Sequence, residues 1–145
     1  MAHIAILGLG NWGTAVARMW LLDGHKVKGW TIEQEVYESV VMDGINRKYL
    51  PDHSIEGLEA TMRIDEALDG VEIVVLAIPS SVILDVVDDI IPHLRPGHVL
   101  IDLAKGLAPG KRLISQAIHE KLKAAQKTNP LAVVTGPTIA PEAAG

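Results

Sequence analysis

The sequence predicts an α/β fold: a doubly wound, mostly parallel sheet with helices on both faces. Three observations carry this. A short apolar run, Ile4-Ala5-Ile6-Leu7, leads directly into glycines spaced G-x-G-x-x-G at Gly8, Gly10 and Gly13, and a helical pattern follows at once. A second run, Ile73-Val74-Val75-Leu76-Ala77-Ile78, is continuous, apolar and β-branched, as suits a central parallel strand covered on both faces. Around these, strand-like runs alternate with helical periodicities, the order that produces a parallel sheet with right-handed crossovers. Strand, glycine turn and helix in that succession mark the Rossmann type of this fold.

His3 to Leu7 reads as a buried strand, and from Asn11 to Leu22 the apolar positions Ala15, Val16, Met19 and Leu22 recur at helical spacing. Asp23-Gly24-His25 stops that helix, with Gly24 in the C′ position. Lys26 to Trp30 is a second strand and Glu33 to Met42 a second helix; Asn46-Arg47-Lys48-Tyr49-Leu50-Pro51 is a loop of mixed polarity. A short edge strand is expected around Glu59 to Arg63, then a helix of one or two turns capped by Asp65 and ending at Gly70. Pro79 closes the central strand, because proline cannot donate to the ladder. The next helix places Val82, Ile83, Val86, Val87, Ile90 and Ile91 on one face and Asp85, Asp88 and Asp89 on the other. Those aspartates read as a solvated face rather than a metal cluster, and no metal site is expected. Val99 to Asp102 is the fifth strand. Leu113, Ile114, Ala117, Ile118 and Leu122 mark a further helix, with Lys121, Lys123 and Lys127 near its negative end. Leu131 to Val134 is the last strand, broken by Thr135-Gly136-Pro137-Thr138.

Composition narrows the function classes. Hydrophobic residues make up 48% of the 145-residue chain, enough for one domain with a sizeable core but short for a complete two-domain enzyme. Phe is absent and aromatics are only 3%, so the core relies on Ile, Leu, Val and Ala. Without cysteine there is no disulfide framework, thiolate nucleophile or cysteine-based metal site. The net charge of −5 argues against a nucleic-acid partner, which needs a basic face. Met1-Ala2-His3-Ile4 lacks the order of a signal peptide, and no apolar run approaches the ~18 residues of a membrane span, so a cytoplasmic protein is expected. No linker or repeat divides the chain, and its stop at Ala143-Ala144-Gly145 reads as a truncation.

The glycine turn points to a dinucleotide. Gly8 lets the chain turn sharply out of its strand, Gly10 has no side chain to hold a pyrophosphate off the backbone, and Gly13 lets the helix pack closely on the sheet. The helix N-terminus then presents N–H groups and a positive dipole end to phosphate. Glu33 lies where a ribose-binding acid is expected. Ligands of open α/β sheets bind outside the carboxyl ends of the strands, which directs attention to Gly8 to Gly13, Thr31 to Glu33, Pro79 to Ser81, Lys105-Gly106 and Thr135 to Thr138. Lys105 is the cation among them, although a surface lysine in a loop is the plain alternative. His3, His25, His53, His93, His98 and His119 are scattered through turns and polar faces without metal-binding spacing, and none is read as catalytic.

Gly8-Leu9-Gly10-Asn11-Trp12-Gly13-Thr14-Ala15, with its unusual Asn-Trp pair, resembles the nucleotide loop of NAD(P)-dependent glycerol-3-phosphate dehydrogenases. Asn46-x-x-Tyr49-Leu50-Pro51, Ala77-Ile78-Pro79-Ser80, Lys105-Gly106-Leu107 and Thr135-Gly136-Pro137-Thr138-Ile139-Ala140 are similar to four further motifs of that family, in the same order. The resemblance implies the amino-terminal cofactor domain, residues 1–145, of an enzyme that moves hydride between NAD(P)H and dihydroxyacetone phosphate, giving sn-glycerol 3-phosphate for phospholipid synthesis. It implies that Asn11 and Trp12 contact the cofactor phosphates and that Ala140 lies near the cofactor. It also implies that Lys105, at the cofactor and the substrate together, orients the triose phosphate and stabilises charge on its carbonyl oxygen, while Gly136 and Thr138 hold substrate. Relatives that accept NADP often carry a basic residue where this chain has Ile32; Ile32 followed by Glu33 resembles the NAD-preferring branch. The family's acid/base lysine and most of its phosphate-binding residues belong to a helical carboxy-terminal domain, absent from these residues, through which a homodimer would form. Two alternatives stand beside this reading: a related dehydrogenase of another small hydroxy acid or sugar acid, and a non-enzymatic dinucleotide-binding or redox-sensing module.

Overall fold

The computed structural model describes residues 2–103, 107–108 and 112–133. Strand β1 (His3–Leu7), helix α1 (Asn11–Leu22), β2 (Lys26–Trp30), α2 (Gln34–Asp43) and β3 (Glu59–Thr61) form the first half of the chain. The second half runs through α3 (Ile64–Leu68), β4 (Ile73–Leu76), α4 (Ile83–Ile90) with a 3-10 turn at Ile91–His93, and β5 (Val99–Asp102). It continues through the short strands β6 (Leu107–Ala108) and β7 (Arg112–Leu113), then α5 (Ile114–Ala124) and β8 (Leu131–Val133).

Six strands form one sheet in the order β3-β2-β1-β4-β5-β8, and every pairing in it is parallel. The chain therefore winds outward from β1 in one direction, then returns to its other side through β4. That reversal between β1 and β4 is the topological switch point of a doubly wound sheet.

Alternation along the strands feeds two separate cores. Ile4 and Ile6 of β1 pack with Val16, Ala17, Val36 and Val40 from α1 and α2 on one face. Ala5 and Leu7 pack with Ala67, Ile83, Val87, Ile118 and Leu122 from α3, α4 and α5 on the other. In β4, Val75 faces the first core while Val74 and Leu76 face the second, as period-two side-chain geometry requires. Both faces of the sheet are covered by helices, as expected.

Several local expectations are corrected. Asp65 does not cap α3: Arg63 occupies the N-cap position, and Asp65 sits inside the first turn with Arg63 Nη2 donating to its Oδ2 at 2.8 Å. Leu22 is 69% exposed, because α1 buries the continuous stretch Gly13 to Ala17 and its last turn stands clear of the core. Val82 and Leu113 are exposed as well; each is the N-cap residue ahead of its helix, where helical periodicity does not yet govern direction. His98 is buried rather than placed on a polar face. The β6–β7 antiparallel pairing, Leu107 with Leu113 and Ala108 with Arg112, has no counterpart in the expected elements.

Candidate functional site

The strand ends are level. Leu7 pairs with both Trp30 and Leu76, Trp30 with Thr61, and Leu76 with Asp102, so the chain leaves β1, β2, β4 and β5 along one edge of the sheet. At that edge the three glycines separate by function. Gly8 has φ +111°, and a Cβ there would lie 2.3 Å from the Ala77 carbonyl oxygen. A Cβ on Gly13 would lie 1.8 Å from the Gly8 carbonyl oxygen. Both glycines are thus required by backbone packing. Gly10 is different: its backbone is extended, and an added Cβ would meet nothing within 4 Å. The fold has no need of glycine at this position.

Gly10 is also the N-cap of α1, with no side-chain cap and no acidic residue in the helix's first turn. Helices α2, α3 and α4 do carry first-turn acids: Glu35, then Asp65 and Glu66, then Asp85. The positive end of the α1 dipole therefore faces no carboxylate of its own first turn and no side-chain cap, an arrangement suited to an anion.

An open cleft of about 690 Å³ runs along this edge at the β1/β4 switch point. Its volume falls within the ~300–1,000 Å³ typical of small-molecule sites. Gly8 to Trp12 form its floor, Trp30 to Glu33 with Tyr49 one wall, and Ala77 to Pro79 with Val82 and Val86 the other. Ile32, 75% exposed, offers an apolar surface there. Gly13 does not line the cleft; it is buried beneath the loop, supporting the helix–sheet contact. Asp85 and Asp89 do line the cleft, whereas Asp88 pairs with Lys121 at 2.9 Å, so the three aspartates do not act alike. Among the described residues no group of three potential ligands is placed to hold a metal ion.

Glu33 is held from both ends. Its backbone N–H donates to Thr31 Oγ1 at 3.1 Å, and the Thr31 N–H in turn donates to the Thr61 carbonyl at 3.1 Å. Its carboxylate accepts from the Lys48 ammonium at Oε1 and from the Tyr49 hydroxyl at Oε2, the latter at 2.9 Å. Lys48 also donates to Glu35 Oε1 at 3.0 Å. The Lys48 hydrogen bond, helped by Tyr49, holds the Glu33 carboxyl below its ordinary range against the opposing effect of desolvation. In return, Glu33 and then Glu35 raise Lys48, and Glu33 raises the Tyr49 phenol.

Asn46 opens the motif Asn46-x-x-Tyr49-Leu50-Pro51, but the work of its side chain is not legible there. It is fully buried, its Nδ2 donating to the Leu9 carbonyl and to Thr14 Oγ1, both at 2.8 Å, while its Oδ1 accepts from the Tyr49 N–H at 3.2 Å. One amide thereby ties the glycine turn to the loop that carries Lys48 and Tyr49. A single Asn in a mixed-polarity loop has no periodicity to reveal this.

Of the expected site residues, the structure brings Gly8, Gly10, Asn11, Trp12, Ile32 and Glu33 to one cleft. Lys105, Gly136, Thr138 and Ala140 lie outside the described residues. No helix among the described residues is long and apolar enough to cross a membrane.

Comparison with known proteins bears directly on this cleft. The family model described as NAD-dependent glycerol-3-phosphate dehydrogenase N-terminus matches residues 3–145. A curated glycerol-3-phosphate dehydrogenase (NAD(P)+) of Coxiella burnetii is 33% identical over 142 residues, covering 97% of this chain and 42% of that protein. Its counterpart in Listeria monocytogenes is 36% identical over 143 residues, with the same two coverages, 97% and 42%. The crystal structure of glycerol-3-phosphate dehydrogenase from Coxiella burnetii superposes with a TM-score of 0.86 at 33% identity, covering 99% of this chain and 43% of that one. The chain thus spans about two fifths of the length of the relatives it matches.

Proposed function

The chain belongs to the NAD-dependent glycerol-3-phosphate dehydrogenase family, matching its amino-terminal part, and on that premise we propose that it is the cofactor-binding portion of an oxidoreductase acting between NAD(H) and dihydroxyacetone phosphate or sn-glycerol 3-phosphate. Gly10 carries the assignment. It alone of the three turn glycines has no packing reason to lack a side chain, and it sits at an uncapped helix N-terminus inside the switch-point cleft. The residues present therefore fit a dinucleotide: a bare turn for the pyrophosphate, an apolar wall for the base, and a carboxylate for the ribose.

When bound, the nicotinamide group supplies the hydride acceptor or donor. Around it, Gly8, Gly10 and the backbone at Asn11 and Trp12 would hold the phosphates, with Gly13 supporting the turn from below. Glu33 would accept hydrogen bonds from the ribose hydroxyls, beside Ile32. Lys105 would orient the substrate and stabilise charge on its carbonyl oxygen, a task suited to an ammonium beside a developing alkoxide. Gly136 and Thr138 as substrate contacts, and Ala140 near the cofactor, complete the assignment; their support is the family's motif order. Residues 1–145 are read as one cofactor domain, with the proton-transferring lysine supplied by a second, helical domain through which a homodimer forms. A cytoplasmic setting belongs to the same proposal.

Calorimetric titration tests it. NADH is expected to bind tighter than NADPH, because the Glu33 carboxylate repels a 2′-phosphate, by no more than about 2 kcal/mol at a site this near solvent. Adding dihydroxyacetone phosphate to the 145-residue chain should oxidise little NADH, since substrate alignment and proton transfer need groups beyond those assigned here. Binding of neither dinucleotide would remove the proposal, and equal or tighter binding of NADPH would remove the role of Glu33.

A further inference from the structure

Building on the dinucleotide reading above, we propose that Lys48 is a specificity-determining residue: it partly neutralises Glu33 and so limits how strongly the cleft rejects a 2′-phosphate. Read along the chain, Ile32-Glu33 offers a carboxylate with no neighbouring cation. The fold supplies one from fifteen residues further on, where the Lys48 ammonium reaches Glu33 Oε1. Lys48 does not line the cleft itself; its charge is set against a carboxylate that does, within reach of an anion bound there.

The groups around this ammonium can be counted. It touches Glu33 and Glu35, and its Nζ lies 5.4 Å from the centre of the Tyr49 ring. Arg47, next in sequence, is engaged elsewhere: its Nε and Nη2 both donate to Asp43 Oδ2, at 3.1 and 2.9 Å. Two carboxylates and one ammonium leave a single net negative charge where the carboxylates alone would leave two. A phosphate dianion arriving beside Glu33 therefore meets a weaker repulsion and a cation within reach.

The anchor of that cation is firm while its end is free to move. The Leu50 N–H donates to the Asn46 carbonyl at 2.8 Å, and the Tyr49 N–H to Asn46 Oδ1 at 3.2 Å, which fixes the backbone on the far side of Lys48. The Lys48 side chain is 42% exposed and its partner Glu33 32%, so the pair is half in solvent and open to exchange of partners. An ammonium on a flexible stem can turn from carboxylate to phosphate with little cost.

The test compares the dissociation constants of NADPH and NADH, taken as a ratio, for the full chain and its variants at low and high salt. Lys48→Met should raise the ratio by about two- to fivefold at low salt, the range supported by an exposed charge pair. Lys48→Arg should keep it near the unmodified value, and added salt should shrink the difference between Lys48→Met and the parent. Glu33→Gln should favour NADPH, and adding Lys48→Met to it should remove that gain. A ratio unchanged or lowered by Lys48→Met overturns the proposal, as does a Glu33→Gln protein indifferent to Lys48. Those results with normal NADH binding leave the dinucleotide reading standing; failure of the parent chain to bind either cofactor removes both.

Discussion

At the amino ends of β5 and β8, polar side chains are used up within the protein. His98 is 2% exposed; its Nδ1 accepts from the Arg95 N–H at 2.9 Å, which leaves Nε2 to donate to the Leu68 carbonyl at 3.0 Å. Asn129 Nδ2 donates to the Arg95 and His98 carbonyls at 2.7 and 2.9 Å. At the carboxyl ends of β1 and β2 the arrangement is the reverse: Gly10 faces open space, and Glu33 lines the cleft while Lys48 and Tyr49 hold it from the side. Both edges join segments distant in sequence, but only the second also keeps charged groups accessible to a ligand. The same parallel sheet permits both, because all its loops of one kind emerge at one edge.

The sharpest way to break this comparison is at Gly10. Gly10→Val should abolish measurable NADH binding by calorimetry, because a branched side chain would occupy the proposed pyrophosphate path. Its melting midpoint should stay within about 3 °C of the parent, since an added Cβ meets nothing within 4 Å. Normal NADH binding by this variant would make the turn purely structural.

At the opposite edge, His98→Leu should do the converse. It strands the Arg95 N–H and the Leu68 carbonyl in the interior, and urea unfolding should show a loss of about 2–4 kcal/mol. NADH affinity of the folded protein should be unchanged. A large affinity loss would mean that the two edges are coupled and the contrast between them is false.

The smallest effect concerns acid. Glu33 is held below its ordinary value of 4.5, chiefly by the Lys48 hydrogen bond, so its folded pKa lies under its unfolded one. The stability it contributes is fully present above the unfolded value and is lost as pH falls through the lower, folded value. For a pair this exposed the contribution stays below about 1 kcal/mol. Comparing the acid limbs of the stability curves of the parent and Glu33→Gln should show the parent's advantage fading only below about pH 4.5. An advantage that grows on acidification would reverse the sign.

Much of the architecture was legible in residue order. The apolar run at β4, the glycine turn after β1 and the α4 periodicity each state a local geometry, and their alternation was enough for a doubly wound parallel sheet. Boundaries are less legible: period alone points Leu22, Val82 and Leu113 inward, although they stand at helix ends where tertiary packing decides exposure. For the site, Gly8, Gly10 and Glu33 could be named because a turn and a strand end constrain them locally. The partners of Asn46 and Lys48 and the division of Asp85 and Asp89 from Asp88 could not.

The sequence by itself determined the type of every segment in the six-stranded sheet and the helices around it, and at which edge each loop emerges, because strand alternation, helical period and glycine backbone freedom are properties of neighbouring residues. Only the tertiary structure decided which polar groups meet. The Glu33–Lys48 contact spans fifteen residues and the Asn46–Leu9 bond thirty-seven, and His98 finds Leu68 across thirty. Such meetings depend on how level the strand ends are and how the intervening loops close. No repeating pattern in the chain records either, so the charge balance around Glu33 was fixed by the fold.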